Sequence, residues 1–203
     1  MSNIKNIVFD LGGVLVNWSP KICVEVLIGK NELGTEVHKA IFGSGVWQNL
    51  DNGSMSEFEA ISELTNKFPH LKKEINIVFS SYKPFLSPLE ENVKTLKLLK
   101  EKGYKIYLLS NIFKEVWDFI YSRDEYFKFF NGLILSFEEK EIKPGKQIFE
   151  NLLSKYDLKP EECYYIDDMK ENTETGAKLN FNVLHLESNT RILPHFQKAG
   201  ILE

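Results

Sequence analysis

The stretch Ile7-Val8-Phe9-Asp10-Leu11-Gly12-Gly13-Val14-Leu15 decides the fold, because an apolar run ends in a carboxylate and two glycines follow it. Ile7, Val8 and Phe9 are β-branched or aromatic and do not alternate with polar residues, which predicts a strand buried on both faces of a parallel sheet. Asp10 then lies at the carboxyl end of that strand, where ligands bind in open α/β sheets. For this stretch alone, an aspartate that caps a turn is the simpler interpretation, so the rest of the chain must decide whether Asp10 has a chemical role.

The second half of the chain alternates between strand and helix patterns. Further strands are predicted at Lys105–Leu109, Leu133–Leu135, Cys163–Ile166 and Val183–Leu186, and apolar residues at helical spacing lie between them. Such alternation implies right-handed crossovers and a mostly parallel sheet with helices on both faces. We therefore expect an α/β protein with a three-layer, Rossmann-like core.

Between the first strand and this alternating series, the pattern is helical and contains no convincing strand. Four helices are predicted: Pro20–Leu27, Thr35–Phe42, Ser56–Phe68 and Leu71–Tyr82. We interpret residues 18–85 as a small helical cap domain inserted after the first strand, and residues 1–17 with 86–203 as the core domain. Ser87-Pro88 is predicted to open the next helix of the core, since the two residues suit an N-cap and a first helical position.

The composition is that of an ordinary globular protein. The 203 residues are 43% hydrophobic and 27% charged, with a formal net charge of -4 and scattered lysines, which disfavours nucleic acid or an anionic membrane as partner. No apolar run approaches the roughly 20 residues that span a bilayer, and no signal peptide is visible. Cys23 and Cys163 are far apart and outside any CxxC motif, so we expect buried thiols and a cytoplasmic location.

Polar residues follow three of the predicted strands, namely Asp10, Ser110-Asn111 and Asp167-Asp168, and Lys143 lies in the loop after a fourth. The carboxyl ends of parallel strands share one sheet edge, so these side chains are expected to meet. A carboxylate can attack phosphorus to form an aspartyl phosphate, while Mg²⁺, a hydroxyl and a lysine offset the phosphoryl charge. Each residue alone has a simple structural role, as a cap, a turn or a solvated loop. Their joint occurrence favours phosphoryl transfer.

These residues resemble a known family. Phe9–Leu15, Leu109–Asn111, Lys143-Pro144 and Ile166–Asp168 with Asn172 resemble the four motifs of the haloacid dehalogenase-like (HAD) hydrolases, over essentially the whole chain. Trp47–Phe58 resembles the cap loop of the sugar-phosphatase branch, which includes α-D-glucose-1-phosphate phosphatase and the phosphatase domain of soluble epoxide hydrolase. The resemblance implies a Mg²⁺-dependent phosphatase whose substrate is a small phosphorylated metabolite, with a sugar phosphate expected.

The resemblance also implies a metal site. By position, Asp10 is expected to be both the nucleophile and a metal ligand, and Gly12 is expected to offer its backbone carbonyl. Asp168 is the expected direct carboxylate ligand, with Asp167 close by, bound directly or through water. Asn172 is expected to brace this loop from behind.

For the substrate, the resemblance assigns Ser110 and the backbone amide of Asn111 to the phosphoryl oxygens, and Lys143 to a bridge between phosphate and nucleophile. The cap loop adds Trp47 and Asp51 as candidates for substrate binding. For Trp47, as for the tryptophan beside the first motif, packing in the core is an equal alternative to stacking on a sugar.

One position departs from the family pattern. Most of these phosphatases have a second aspartate two residues after the nucleophile, and this chain has Gly12, which cannot transfer a proton. Water or a cap residue, Asp51 or Glu57, can replace it; the leaving group can be one that needs little protonation; or turnover is slower by about 10²–10⁴-fold.

Two other functions stay open on the sequence. A 2-haloacid dehalogenase uses the same aspartate without a metal, so the pair Asp167-Asp168 disfavours it. A catalytically weak binding or regulatory protein is supported only by Gly12.

Overall fold

A computed structural model describes residues 3–203 as a five-stranded parallel sheet covered by helices. In chain order the strands are β1 (Asn6–Phe9), β2 (Val16–Asn17), β3 (Ser87–Pro88), β4 (Lys105–Ser110), β5 (Gly132–Leu135), β6 (Cys163–Asp167) and β7 (Asn182–His185). The main sheet has the order β5-β4-β1-β6-β7, and β2 pairs with β3 separately. The predicted α/β class is confirmed, with the opening stretch supplying the central strand.

Five helices lie in the insertion, residues 18–85: α1 (Pro20–Leu27), α2 (Glu32–Phe42), α3 (Val46–Asp51), α4 (Glu57–Lys67) and α5 (Lys72–Ser81). The core has α6 (Glu90–Glu101), α7 (Lys114–Arg123), α8 (Ser136–Glu139), α9 (Lys146–Tyr156), α10 (Lys170–Lys178) and α11 (Leu193–Lys198). The four helices predicted in the insertion are present, and α3 makes a fifth. The six residues of α3 are too few to show a helical period in the sequence.

Side chains of β1 alternate between two apolar layers. Ile7 and Phe9 face one side, where the ring of Phe9 packs edge-on against Phe196 of α11 with 6.3 Å between centroids. Val8 faces the other side and belongs to a second cluster with Phe149 of α9. Both layers exclude water, which explains why the strand reads as a continuous apolar run.

The chain leaves the core for the insertion through β2 and returns through β3. Val16 pairs with Pro88 and Asn17 with Ser87 in an antiparallel register, so the insertion begins and ends at neighbouring positions. The prediction that Ser87-Pro88 opens a helix is therefore wrong, because α6 begins at Glu90. Pairing with a segment distant in sequence overrides the local capping pattern, and proline is tolerated in so short an edge strand.

Both cysteines are buried free thiols, as predicted. Burial raises the pKa of Cys23 to about 11 and that of Cys163 to about 12, so neither thiol is activated as a nucleophile. Within residues 3–203, the helices are all too short or too polar to cross a membrane.

Candidate active site

The ends of three adjacent strands bring the predicted residues together. Asp10 follows β1, Ser110 ends β4 and Asp167 ends β6, and β1 lies between the other two strands. Lys143 reaches the same edge from the loop between α8 and α9. All four are buried: Asp10 is 7% exposed, Lys143 3%, Ser110 1% and Asp167 0%. A sheet edge with so many buried polar groups requires specific partners for each of them.

Lys143 bridges two carboxylates. Its Nζ lies 2.7 Å from Oδ1 of Asp10 and 2.6 Å from Oδ2 of Asp167. Burial lowers the pKa of Lys143, but the charges of the two carboxylates outweigh burial and raise it above its usual value. The side chain is therefore an ammonium group, held between two strand ends.

The amide side chain of Asn111 fixes the backbone of Lys143. The Lys143 N–H donates to Oδ1 of Asn111 at 2.8 Å, and Nδ2 of Asn111 donates to the Lys143 carbonyl at 3.0 Å. The neighbouring Ser110 hydroxyl makes one long contact, 3.4 Å to the Asn111 carbonyl, so it can turn toward a ligand. Asn111 thus has a structural task for its side chain and leaves its backbone amide to the site.

Asp167 is almost saturated with hydrogen bonds from the protein. Besides Lys143, it accepts from the Met169 N–H at 2.7 Å, from Nδ2 of Asn172 at 3.0 and 3.1 Å, and from the Tyr165 hydroxyl. These partners leave little of its lone-pair capacity for a metal. Asn172 contacts the acidic loop from behind, where the sequence expectation placed it.

Asp10, Asp167 and Asp168, the carboxylate cluster, each offer an oxygen within 4.8 Å of the others. Burial, and then the charge of Asp167, raise the pKa of Asp10 to about 8, although Lys143 opposes this. Burial, followed by the charge of Asp167, likewise raises the pKa of Asp168. When all three carboxyls are ionised, the one ammonium leaves two negative charges, and the raised pKa values of Asp10 and Asp168 reflect the cost of that charge; a hard divalent cation suits both the charge and these oxygen donors. The cluster therefore fits Mg²⁺.

The two glycines after Asp10 differ in their surroundings. Gly13 has a φ of +71°, and a Cβ there would lie 2.2 Å from Oδ2 of Asp168, so only glycine lets the carboxylate approach the turn. A Cβ on Gly12 would meet Cδ1 of Trp18 at 3.6 Å, which is an ordinary contact. Packing near the backbone therefore does not explain the absence of an acid at position 12.

A cavity of about 530 Å³, its mouth included, lies between this sheet edge and the insertion. It begins at Leu11, Gly12, Ser110 and Asn111, beside the carboxylate cluster. Asp51, the last residue of α3, lines it from the insertion. Asp10 itself does not line the cavity, but its neighbours Leu11 and Gly12 do.

Asp51 is anchored to the core through its backbone. Its carbonyl accepts a hydrogen bond from Oγ of Ser136, and that Oγ in turn accepts one from the Ile112 N–H at 2.8 Å. Burial raises the pKa of the Asp51 carboxyl to about 7, although Lys143 opposes the shift. The carboxyl can therefore hold or release a proton near neutral pH.

Glu57, the other predicted substitute acid, is not among the residues that line the cavity. Its carboxylate lies 3.8 Å from Nζ of Lys83, and its pKa is raised by burial, with Lys83 acting in the opposite direction. Of the two candidates that the sequence left equal, Asp51 lines the cavity and Glu57 does not.

Trp18 and Trp47 pack against other aromatic side chains, which is one of the two alternatives considered for them; stacking on a substrate stays a prediction. Their rings stack with centroids 6.0 Å apart and planes 18° from parallel, and Trp47 packs edge-on against Phe113 at 5.3 Å. Both tryptophans also line the cavity. Packing therefore holds both rings in place on one side of the cavity.

Sequence reasoning missed two polar residues of this region. Tyr165 precedes Asp167 by two positions in a strand, and this spacing places both side chains on the same face. Ser136 follows β5 as Asp10 follows β1, so the strand-end rule that found the other residues applies to it too. Both signals were present in the sequence, although neither residue belongs to a motif.

A parallel sheet with a helical insertion after its first strand, and an aspartate, a lysine and a carboxylate pair at its carboxyl edge, is the Rossmann-like arrangement that the sequence motifs predict. The family model for haloacid dehalogenase-like hydrolases matches residues 4–180, and the chain belongs to this family. The family predicted from the motifs is thereby confirmed.

Curated relatives include two phosphatases. A sesquiterpene phosphatase from Aspergillus oryzae is 27% identical over 187 residues, which cover 91% of each chain. A D-ribitol-5-phosphate phosphatase from Bacteroides thetaiotaomicron is 27% identical over 195 residues, covering 91% of this chain and 93% of the relative. A solved HAD family enzyme from the same bacterium, in complex with magnesium and inorganic phosphate, has a TM-score of 0.73 at 24% identity and covers 92% of this chain and 96% of its own.

Proposed function

We propose that this chain is a Mg²⁺-dependent phosphatase that hydrolyses the phosphate monoester of a small metabolite through an aspartyl phosphate on Asp10. The observation that carries the proposal is the buried contact of 2.7 Å between Lys143 and Asp10, beside a carboxylate cluster with two unbalanced negative charges. Two curated relatives named as phosphatases support the same reaction.

The first step transfers the phosphoryl group. A carboxylate oxygen of Asp10 forms a bond to phosphorus while the bond from phosphorus to the alcohol oxygen breaks. Lys143, the Ser110 hydroxyl and the Asn111 amide hold the phosphoryl oxygens as charge develops on them. Mg²⁺, held by Asp10, Asp168 and the Gly12 carbonyl, would supply further neutralisation of that charge.

Asp51 is assigned the proton transfers that Gly12 cannot perform. It gives its proton to the departing alcohol oxygen, and then takes one from the water that attacks the aspartyl phosphate. That second step releases inorganic phosphate and restores the Asp10 carboxylate. Asp51 lines the cavity, and a pKa of about 7 suits an acid that must also act as a base.

The insertion, residues 18–85, is assigned the role of a cap domain over a core of residues 1–17 and 86–203. Its two ends lie together at the β2–β3 pair, and it contributes Asp51 and Trp47 to the cavity. A site covered in this way suits a small molecule rather than a phosphoprotein.

Within the class of small phosphate monoesters, the sequence resemblance favours a sugar phosphate. The polyol phosphate named for one relative supports that choice, while the sesquiterpene named for the other supports an apolar alcohol. The two relatives therefore define the range of leaving groups to test.

The proposal is tested by phosphate release from a panel of monoesters, with Mg²⁺ and with excess EDTA. We expect release that EDTA abolishes and added Mg²⁺ restores. Chloride release from a 2-haloacid in EDTA would instead identify a dehalogenase. Absence of any turnover, together with failure to bind beryllofluoride and Mg²⁺, would identify a protein that keeps the fold without the reaction.

A further inference from the structure

The walls of the cavity are mostly apolar. Away from Gly12, the cavity extends between α7 and the insertion, and its lining there is aliphatic and aromatic: Val16, Trp18, Trp47, Leu86, Ile112, Phe113, Val116 and Ile120. Among the described residues that line the cavity, none is a lysine, arginine, histidine or glutamine. The wall therefore lacks most of the side chains with which proteins hydrogen-bond a polyol.

The few polar side chains of the lining already have tasks. Ser110 and Asn111 lie at the strand end beside Asp10, and both side-chain groups of Asn111 are bonded to the Lys143 backbone. The Asp51 carboxyl is assigned to the bridging oxygen. The polar side-chain groups of the lining left for the rest of a substrate are the buried Tyr82 hydroxyl, which lacks a hydrogen-bond partner of good geometry, and the indole N–H groups of Trp18 and Trp47.

A lining with many apolar and few free polar side chains discriminates between polar and apolar leaving groups. A sugar or a polyol carries several hydroxyls, and those buried against an apolar wall lose their hydrogen bonds to water without replacement. A hydrocarbon loses nothing of this kind, and each methylene that it buries favours binding by about fourfold. The lining thus favours an apolar leaving group and disfavours a polar one of the same size.

We propose that the substrate is the phosphate monoester of a hydrophobic alcohol, a short alkyl or prenyl chain, and that the apolar wall selects it over sugar and polyol phosphates. The inference rests on the proposed phosphatase function and names its substrate class. The phosphate lies at Lys143 and Ser110, and the hydrocarbon lies between Trp47 of the insertion and Val116 of α7.

The test compares butyl, hexyl and octyl phosphate with glucose 6-phosphate, using the full chain with Mg²⁺ and acetyl phosphate as a reference that has almost no leaving group to bind. We expect kcat/KM to rise by about fourfold per methylene until the cavity is filled. Octyl phosphate should then exceed glucose 6-phosphate by at least about 100-fold. Equal or better use of glucose 6-phosphate, or no dependence on chain length, with acetyl phosphate hydrolysed, overturns the substrate class and leaves the phosphatase intact. No release from any of these compounds overturns both.

Variants of the cavity wall test whether its side chains cause the preference for alkyl phosphates over glucose 6-phosphate. Trp47→Gln removes an aromatic wall, and Val116→Thr adds a hydroxyl with little change of volume, so one remains informative if the other fails to fold. Both should lower the ratio of kcat/KM for octyl phosphate to that for glucose 6-phosphate, Trp47→Gln by about tenfold or more. Phe58→Gln is the matched control, since this aromatic residue of the insertion is 81% exposed and lies outside the cavity. An unchanged ratio in folded Trp47→Gln and Val116→Thr overturns the proposal.

Discussion

The two ends of the site are built in different ways. At the sheet edge, the buried ammonium of Lys143 lies 2.6–2.7 Å from the carboxylates of Asp10 and Asp167, and each of the three residues comes from its own strand end or loop. The cavity is lined mostly by aromatic and aliphatic side chains, which come from the insertion, from α7 and from segments of the core such as Ile112-Phe113. In the proposed function, the core therefore supplies the groups for phosphoryl transfer, whereas the leaving group would contact side chains of both the insertion and the core.

The largest effect is expected at the sheet edge around Asp10 and Lys143, which we call the charged end of the site. Asp10→Asn should lower kcat by about 10⁴-fold or more, because the amide cannot attack phosphorus. Phosphate release measures the effect, and a thermal melt checks the fold. Asp118→Asn makes the same chemical change on the exposed face of α7, where the residue pairs with Lys114, and should leave kcat unchanged. Activity retained in Asp10→Asn would exclude this residue as the nucleophile.

The next largest effect is expected for Asp51, which lies on the insertion but is proposed to protonate the oxygen released at the sheet edge. Asp51→Asn should lower kcat for an alkyl phosphate by about 10²–10⁴-fold, because the alkoxide must then leave without its proton. Phosphorylation of the enzyme by acetyl phosphate should change little, since a carboxylate leaves readily. Rapid-quench measurement of the aspartyl phosphate separates this step from its hydrolysis.

A second substitution tests whether an aspartate at position 12 can perform the proton transfer that is proposed for Asp51. Gly12→Asp in the Asp51→Asn background should restore part of the lost rate, because a side chain at position 12 meets Trp18 only at an ordinary 3.6 Å. Glu57→Gln is the control and should retain the rate. A larger loss in Glu57→Gln than in Asp51→Asn would transfer the assignment to Glu57.

A smaller loss is expected when only the support of the charged end is removed. Asn111→Ala deletes both hydrogen bonds to the Lys143 backbone and should lower kcat by about 10–100-fold. Asn76→Ala removes an exposed asparagine of α5 that bonds to a local carbonyl, and it serves as the matched control. If kcat were the same in both variants, Lys143 would not depend on this clamp.

The pH profile distinguishes the same two ends. The raised pKa of Asp51 means that its carboxyl is protonated below about 7, so kcat/KM for an alkyl phosphate should fall as the pH rises through about 7. The decline should approach tenfold per pH unit on the alkaline side. With acetyl phosphate, or in Asp51→Asn, this limb should be absent. Its persistence in the variant would assign the titration to another group.

The smallest effect concerns stability. Mg²⁺ binds only the folded chain, so saturating ion should raise the free energy of unfolding by about 2–3 kcal/mol and Tm by about 5–10 °C. Asp168→Asn should lose most of this shift, whereas Asp118→Asn should retain it. Differential scanning calorimetry gives both values. A full shift in Asp168→Asn would remove that residue from the metal site.

The charged end could be predicted because it obeys a local rule. Asp10, Ser110 and Asp168 each follow a recognisable apolar strand, and parallel strands bring such residues to one edge. The apolar end could not be predicted in this way. Val116 and Ile120 have the spacing of a core-facing helix stripe, and no local signal distinguishes a stripe that faces a cavity from one that faces solid core. The β2–β3 pair was missed for a related reason, since each strand is two residues long and its partner is remote in sequence.

The hydrogen bond from Ser136 to the carbonyl of Asp51 has a consequence for the order of events. If the insertion carries the proton donor, as proposed for Asp51, then moving the insertion away from the core would leave the nucleophile without its acid. The same displacement would remove the insertion's tryptophans, Trp18 and Trp47, from the cavity wall. Under that assignment, turnover would require the insertion to be closed over the ligand, and inorganic phosphate or a polar ester that reached an open sheet edge would meet a site without its proton donor. The absence of an acid at position 12 would thus couple proton transfer to the position of the insertion.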